Sequence, residues 1–290
     1  MSVTIRTNLE RDALRTQLAK MDREFRVALP DHIKSDKFQR VVMTAVQQTP
    51  DLLLADRRSL LMAATKCATD GLIPDGREAA FVIFNAKVKV PFQKADGTDG
   101  VRDEWKKLVQ YMPMRAGIQK RAMNSGLVLS LQGHIIYEYD HFLWHQGTAE
   151  KLEHVPKFPG DRGKPIGAYA IARVKGQAEP IFRVMDKARI DKAREVSRNK
   201  DGAIWTTWWD EMAIKTVIRN LSKDLPAAAE IQTVVDRDDE DPSVGESTET
   251  IDSVLVDETN QGRSPSKLDV LEGTAETVEE DASDKFPGDL

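Results

Sequence analysis

The chain has 290 residues, of which 40% are hydrophobic, so it is long and apolar enough to fold into one large domain or two small ones. No stretch approaches the roughly 20 apolar residues of a membrane span, and the N-terminus lacks the apolar run of a signal peptide. We therefore expect a cytoplasmic protein with no membrane partner. The single cysteine, Cys67, excludes an internal disulfide, and its apolar helical surroundings predict a core position.

The net charge of −5 conceals two regions of opposite sign. Residues 236–290 contain 18 acidic and 4 basic residues, a net charge of −14, whereas residues 1–235 contain 29 acidic and 38 basic residues, a net charge of +9. A cationic body favours a polyanionic partner, because neutralised phosphates release their condensed counterions. A solvated, lysine-rich surface would have the same charge, so charge alone leaves both interpretations open.

Helical patterns dominate the first 70 residues. Apolar side chains recur every three to five positions over residues 8–29, and a second helical pattern ends before Pro50. A third helix has Asp56 or Ser59 as its N-terminal cap and ends at Gly71. The sequence therefore predicts a helical N-terminal segment.

Strand patterns begin near Ala79. The segments AAFVIF, KVKVPF and WKKLVQYM have strand character, and KADGTDGVRDE between them is typical of a hairpin loop. A helix follows from Pro113 to about Gly126, and LVLSLQGHIIYEYD is a long alternating strand. After a turn-rich insertion, HVPKFPGDRGKP, the segments AYAIARV and PIFRVM predict two more strands. The sheet should therefore have several strands.

Two helices close the predicted body, DKARIDKAREVS and a longer helix over residues 208–225. Beyond them aromatic residues almost vanish and acidic, serine and threonine residues dominate, so the segment cannot bury enough apolar surface to offset its ordering entropy. We predict a folded domain over residues 1–235 and a disordered acidic tail over residues 236–290, which could bind a partner. A chain that ends after about Thr233 should then still fold.

The last predicted helix, WWDEMAIKTVIRNLSKDLP, has the most informative pattern for function. Beside its apolar face, Lys215, Arg219 and Lys223 recur at every fourth residue and form a cationic ridge that could follow a phosphate backbone. An ordinary solvated helix flank with one Glu–Lys pair has the same spacing, so the ridge alone does not decide between the two.

Tryptophans and further cations extend this candidate interface. Trp205, Trp208 and Trp209 can stack unpaired bases, although at least one of them should belong to the core. A second basic cluster lies on the helix after Pro113, where a solvated helix face is again the alternative. The residues that we predict to contact DNA are Lys215, Arg219, Lys223, Trp209, Arg115, Lys120, Arg121 and Arg173.

Signals for catalysis are weak by comparison. GDRGKP lacks the GxxxxGK[ST] spacing of a Walker phosphate loop, which argues against ATP hydrolysis. Asp70, Asp75 and Glu78 could hold Mg²⁺ as in a nuclease, but the turn chemistry of DGLIPDG explains them better. His141 and His145 lack a nearby third ligand. We therefore predict no catalytic residue, no metal site and no cofactor, and we leave Mg²⁺ dependence open.

Blocks of sequence between about residues 28 and 226 match the pattern of one known family, in order. These blocks are LPDHIKSDKFQRVVMTAVQQTP, LLMAATKCATDGLIPDGREAAFVIF, VQYMPMRAGIQKRAMNSG, AYAIARV and WTTWWDEMAIKTVIRNLSKDLP. Together they resemble the RecT family of phage and prophage single-stranded-DNA annealing recombinases. In the last block, the positions that match the family are Trp209, Glu211, Met212, Lys215, Arg219 and Lys223. Asn220 and Asp224 depart from the pattern, which expects a basic and an aromatic residue there.

The resemblance implies a small β-sheet packed against helices. Together with the patterns above, this predicts an α+β fold with a small antiparallel β-sheet, a helical N-terminal segment and a disordered acidic C-terminal tail. The resemblance also implies ATP-independent binding and annealing of single-stranded DNA in homologous recombination, by a non-enzymatic homo-oligomer that forms rings or helical filaments. The annealed duplex and an exonuclease would be its partners.

Further partners and alternative functions stay open. The tip DASDKFPGDL is similar in composition to the tips of bacterial single-strand-binding proteins, so it could recruit a replication or nuclease partner, and the host single-strand-binding protein is another candidate. The alternative functions are a Mg²⁺-dependent nuclease acting on DNA and a strand-protecting oligomer that does not anneal.

Overall fold

The computed structural model describes residues 3–93, 99–197, 200–226, 228–237, 240, 251 and 253–255. The chain divides into two units, Met1–Glu246 and Ser247–Leu290, and the described residues of the second unit are helical. Of the tail predicted to be disordered from residue 236 onward, residues 236, 251 and 253–255 are helical, and residues 256–290 lie outside the described residues.

Helices form the N-terminal part of the first unit, as predicted. They are α1 (Val3–Lys20), α2 (Asp22–Ala28), α3 (Ser35–Gln48), a 3-10 helix (Pro50–Leu54) and α4 (Arg57–Thr69). The first predicted helix is broken into α1 and α2, and the ring of Phe25 on α2 packs 5.2 Å from that of Phe38 on α3. The Asp56 carboxylate caps α4 by accepting a 2.9 Å hydrogen bond from the Ser59 amide. Gly71 follows α4 with a left-handed φ of 67°, which glycine adopts without strain.

A long antiparallel ribbon follows, made of β1 (Ala79–Gln93) and β2 (Asp99–Pro113). Its base is fastened to α4: the Asp56 amide donates to the Lys107 carbonyl at 2.8 Å, and the Val109 amide donates to the Ser59 hydroxyl at 2.9 Å. The outer half, residues 85–93 and 99–107, has no buried residue among those whose side chains are described. We call this outer half the arm.

The remaining strands are β3 (Val128–Tyr137), β4 (His141–His145), β5 (Lys151–Val155), β6 (Pro165–Val174) and β7 (Ile181–Asp186). Strands β3, β6 and β7 form an antiparallel sheet in the order β3–β6–β7, and β4 pairs with β5 as a separate hairpin. The β4–β5 hairpin was not predicted from the sequence. The small antiparallel sheets and the many helices confirm the predicted α+β class.

The later helices are α5 (Arg115–Asn124), α6 (Lys187–Glu195), α7 (Ala203–Thr207), α8 (Trp209–Ser222) and α9 (Ala228–Asp236). Helices α5, α6 and α8 contact the three-stranded sheet, and α9 packs against α5 and α8. Helix α9 was not predicted, and the predicted domain boundary after residue 235 falls within it. None of the described helices is both long and apolar enough to cross a membrane.

Candidate nucleic-acid interface

Helix α8 lies against the sheet at short range. Its buried apolar residues are Ala213, Ile214, Val217, Ile218 and Leu221. Gly133 on β3 permits the close approach, because a Cβ atom at that position would lie 2.7 Å from Ile214 Cγ2 and 3.3 Å from Ile218 Cδ1. The apolar face predicted for this helix is therefore confirmed as its contact with the sheet.

The predicted cationic ridge is only partly exposed. Lys223 is exposed and Arg219 is half-buried, but Lys215 keeps only 7% of its surface exposed, so the predicted solvated position of Lys215 is wrong. Helix α5 contacts α8, and its Arg115 pairs with Glu211 at 3.1 Å, one turn before Lys215. Lys215 and Arg219 both interact with other groups of the protein. Helical spacing placed the three cations on one flank but did not show that Lys215 is buried.

The cations of α5 are also engaged within the protein. Besides the Arg115–Glu211 pair, Lys120 donates to the Glu78 carboxylate at 2.7 Å, and both side chains are largely buried. Arg121 is half-buried and borders a pocket beside Asp70. Phosphate contacts by Arg115 or Lys120 would therefore replace existing ion pairs.

The tryptophans around the start of α8 have different environments. Trp205 belongs to the core, as predicted for at least one of them. Trp209 is half-buried, its indole N–H donates to the Asp191 carboxylate at 2.8 Å, and the Lys187 ammonium lies 5.0 Å from its ring centroid. Trp208 keeps 62% of its surface exposed, so it is better placed than Trp209 to stack a base.

Arg173 lies near the end of β6, paired in register with Ser130, and is exposed. Neighbouring positions on a strand point to opposite faces, so Arg173 lies on the sheet face opposite the buried Ala172. The β4–β5 hairpin covers part of this outer face, since the rings of Phe142 and His154 lie 5.9 and 5.5 Å from that of Tyr169.

A buried carboxylate fixes this hairpin, and no pattern in the sequence indicated it. The Asp140 side chain is fully buried and accepts two hydrogen bonds from Arg162, at 2.9 and 2.6 Å, and one from the Lys157 amide at 2.9 Å. Its oxygen also lies 3.1 Å from His154 Nε2. The Arg162 hydrogen bonds hold the pKa of Asp140 well below its usual value, although burial opposes the shift.

The same network reaches the first turn of α8. The Arg162 guanidinium stacks 4.2 Å from the Tyr137 ring centroid, and the Tyr137 hydroxyl donates to Asp210 at 2.5 Å. Burial, followed by this hydrogen bond and the charge of Asp210, raises the pKa of Tyr137 to about 12. This network thus connects the β4–β5 hairpin with the first turn of α8 through four side chains: Asp140, Arg162, Tyr137 and Asp210. They are far apart in the sequence, so no local spacing could have grouped them.

The acidic residues considered as a nuclease site are occupied by other contacts. Asp75 accepts hydrogen bonds from the backbone amides of Arg77 and Glu78, as expected for a turn. Asp70 pairs with Arg237 at 3.1 Å, while Glu78 pairs with Lys120. Among the described residues, no group of three or more histidine, cysteine or carboxylate side chains is arranged to hold a metal ion.

Comparison with known proteins extends the match seen in the sequence blocks. The family model described as "RecT family" matches residues 36–253, from the second residue of α3 past the end of α9. The chain belongs to the RecT family. Protein RecT of Escherichia coli (strain K12) is 32% identical over 223 residues, which cover 77% of this chain and 78% of that protein. Membership confirms the predicted classification as a DNA-recombination and DNA-annealing protein.

Proposed function

We propose that the chain binds single-stranded DNA and anneals complementary strands without nucleotide hydrolysis. The observation that carries this proposal is the continuous RecT-family match, which includes the arm, the three-stranded sheet, α8 and α9. The +9 charge of residues 1–235 supports it, because a polyanion gains affinity from each phosphate that a cation neutralises.

The exposed cations and aromatic rings are the strongest candidates for DNA contact. Of the residues predicted from the sequence, Arg173 and Lys223 are exposed, and we add Arg189 and Lys192, which are exposed on α6. Trp208 replaces Trp209 as the candidate for stacking in this region. Arg115, Lys120, Arg121, Arg219, Lys215 and Trp209 remain weaker candidates, since each is at least partly buried.

The mechanism is electrostatic and geometric. Lysine and arginine contacts to phosphates hold a strand regardless of its sequence, and stacked bases can remain open to a second strand. Base pairing between the two strands then supplies the specificity, so the protein needs no side chains that read individual bases. Neither step requires energy from ATP, and GDRGKP does not have the spacing of a Walker loop.

We further propose that the active form is a homo-oligomer, a ring or a helical filament, that acts beside an exonuclease. The host single-strand-binding protein is a second proposed partner. Mass measurement by light scattering, with and without an oligonucleotide, tests the assembly. A chain that stays a monomer while it anneals DNA would contradict the oligomer.

The decisive test is an annealing assay with complementary labelled oligonucleotides, Mg²⁺ and no ATP, followed by a gel that separates duplex, single strands and fragments. We expect duplex to form faster than in buffer alone, with no fragments. Fragments that appear only with Mg²⁺ would indicate the nuclease. Strand binding without faster annealing would indicate a strand-protecting protein.

A further inference from the structure

The two faces of the arm differ in chemistry. Successive side chains on a strand alternate between faces, and the antiparallel register brings Lys87 directly opposite Trp105. One face of the ribbon carries Phe84, Ala86, Val88, Val90 and Phe92 on β1, which we call the apolar stripe, and opposite them on β2 Leu108, Lys106, Glu104, Arg102 and Gly100. The other, the lysine–tryptophan face, carries Asn85, Lys87, Lys89, Asp103, Trp105 and Lys107, with Pro91 and Val101 farther along the ribbon.

Trp105 is the feature that needs an explanation. It keeps 70% of its surface exposed, and it lies in the outer half of the ribbon, where no described side chain is buried. A tryptophan that stabilised the fold would bury its large apolar surface, as Trp205 does. The Trp105 ring is therefore available to a ligand.

The charges around the ring indicate what that ligand is. Lys87 lies across the ribbon from Trp105 and pairs with Asp103 at 3.0 Å, while Lys107 lies two residues along β2, about 7 Å away at the usual rise of a strand. Lys89 extends the positive charge along β1. An open aromatic ring beside lysines can stack a base while the ammonium groups contact the flanking phosphates. A protein partner would instead find its apolar contact area on the opposite face, along the apolar stripe.

We propose that Trp105, flanked by Lys87 and Lys107, is a base-stacking site for single-stranded DNA on the arm. This inference rests on the proposed function and adds a contact remote in sequence from α8. Stacking requires only the flat face of a base, so the site has little sequence preference. The two lysines contact the backbone on either side of the stacked nucleotide.

The test uses the full chain with Trp105→Ala and Trp105→Phe and measures the dissociation constant for a fluorescent oligothymidine and for an abasic strand of the same length. Trp105→Ala should weaken binding of the oligothymidine by about 5- to 150-fold, the range for loss of one stacked base, and leave binding of the abasic strand unchanged. Trp105→Phe should retain most of the affinity, because it keeps an aromatic ring.

The salt dependence separates stacking from charge. Lys107→Ala should reduce the slope of log affinity against log salt by about one unit, whereas Trp105→Ala should lower affinity at every salt concentration without changing the slope. Trp144→Ala is the matched control, since Trp144 is an exposed tryptophan on β4 and not one of the proposed contacts, and this variant should bind like the unmodified chain. Equal thermal unfolding midpoints will show that the variants fold.

Two results would overturn the stacking site: oligothymidine binding by Trp105→Ala as tight as that of the unmodified chain, or an equal loss on the abasic strand. Both presuppose that the unmodified chain binds single strands. If it does not bind them at all, the proposed function fails instead, so the two failures are distinguishable.

Discussion

Helix α8 and the arm both combine tryptophan with basic residues, but they expose them very differently. Lys215 lies on a helix that packs against the sheet and against α5, α6 and α9, and it is buried, whereas Trp105 lies in the outer half of the ribbon, where no described side chain is buried. The comparison shows that the spacing of residues identifies a face, while neighbouring elements decide whether that face meets solvent. Changes around α8 should therefore lower stability, and changes on the arm should lower DNA affinity.

The largest effect should come from shortening the helix that supports α8. A chain that ends after Thr233 loses Val234 and Val235, both fully buried, and the Arg237–Asp70 ion pair. Burial of two such side chains contributes about 3–6 kcal/mol, a large part of a typical folding free energy of about 5–15 kcal/mol. Urea unfolding should show this loss, so the expectation that such a chain still folds needs revision. A chain ending after Glu246 keeps both valines and the ion pair, so it is the control and should be more stable than the chain that ends after Thr233.

The next effect concerns the buried network that joins the β4–β5 hairpin to α8. Asp140→Asn removes the charge that Arg162 binds, and we expect a loss of about 2–3 kcal/mol, since hydrogen bonds to charged groups contribute about 1.5–3 kcal/mol each. Asp161→Asn, an exposed neighbour, should change stability by less than about 0.5 kcal/mol. Equal stability of the two variants would show that the network does not hold the hairpin.

The pH dependence gives a second measure of this network. The pKa of Asp140 is lower in the folded protein than the value of about 3.9 in an unfolded chain. Its stabilising effect is therefore fully present above about pH 5 and is lost as the pH falls through 3.9 towards the folded pKa. Urea unfolding at several pH values should show a shallower acid loss for Asp140→Asn than for the unmodified chain. If the unfolding free energies of both proteins fell equally with pH, the proposed role of the Asp140 charge would be contradicted.

Two variants test the contrast between α8 and the arm directly: Lys215→Ala on α8 and Lys107→Ala on the arm. Lys215 is buried and interacts within the protein, so its removal should lower stability by about 1–3 kcal/mol. Lys107 has an exposed side chain, and its removal should change stability by less than about 0.5 kcal/mol while reducing the salt slope of DNA binding. The reverse outcome, a stable Lys215→Ala variant with a smaller salt slope, would restore Lys215 as a DNA contact.

The smallest effect should follow removal of residues 247–290, which have 12 acidic and 3 basic residues, a net charge of −9. We expect these carboxylates to compete with phosphates for cations, so their removal should leave DNA affinity equal or slightly tighter. The difference should disappear at high salt, where the screening length falls from about 30 Å at 0.01 M to about 3 Å at 1 M. Weaker binding after removal would instead assign a direct DNA-binding role to this segment.

Much of the fold could be predicted because its signals are local. The Asp56 cap of α4, the alternation of β6 and the apolar face of α8 are each fixed by residues within a few positions of one another. Helix α9 was missed although Ile231, Val234 and Val235 have helical spacing, because the acidic residues that follow dominated the interpretation of that region.

The site was harder to predict because its determinants are contacts between distant segments. Lys215 is buried on a helix that packs against elements distant in the sequence, such as β3, β6 and α5, and the Asp140 network links β3, the β4–β5 hairpin and α8. Trp105 was assigned only to a strand, since its exposure depends on how far the ribbon extends from α4. Single-sequence patterns contain none of these distances.

Because β1 pairs with β2 in a fixed register, the faces of the arm change when the number of residues in one strand changes by one. A side chain's face depends on whether its position is odd or even, so inserting one residue on β1 before Lys87 would exchange the faces of the residues beyond it. Lys87 and Lys89 would then lie on the side of the apolar stripe, and Val88 and Val90 beside Trp105. An insertion of two residues would lengthen the strand and keep every side chain on its own side. Homologous arms should therefore tolerate length changes in pairs of residues far better than single ones.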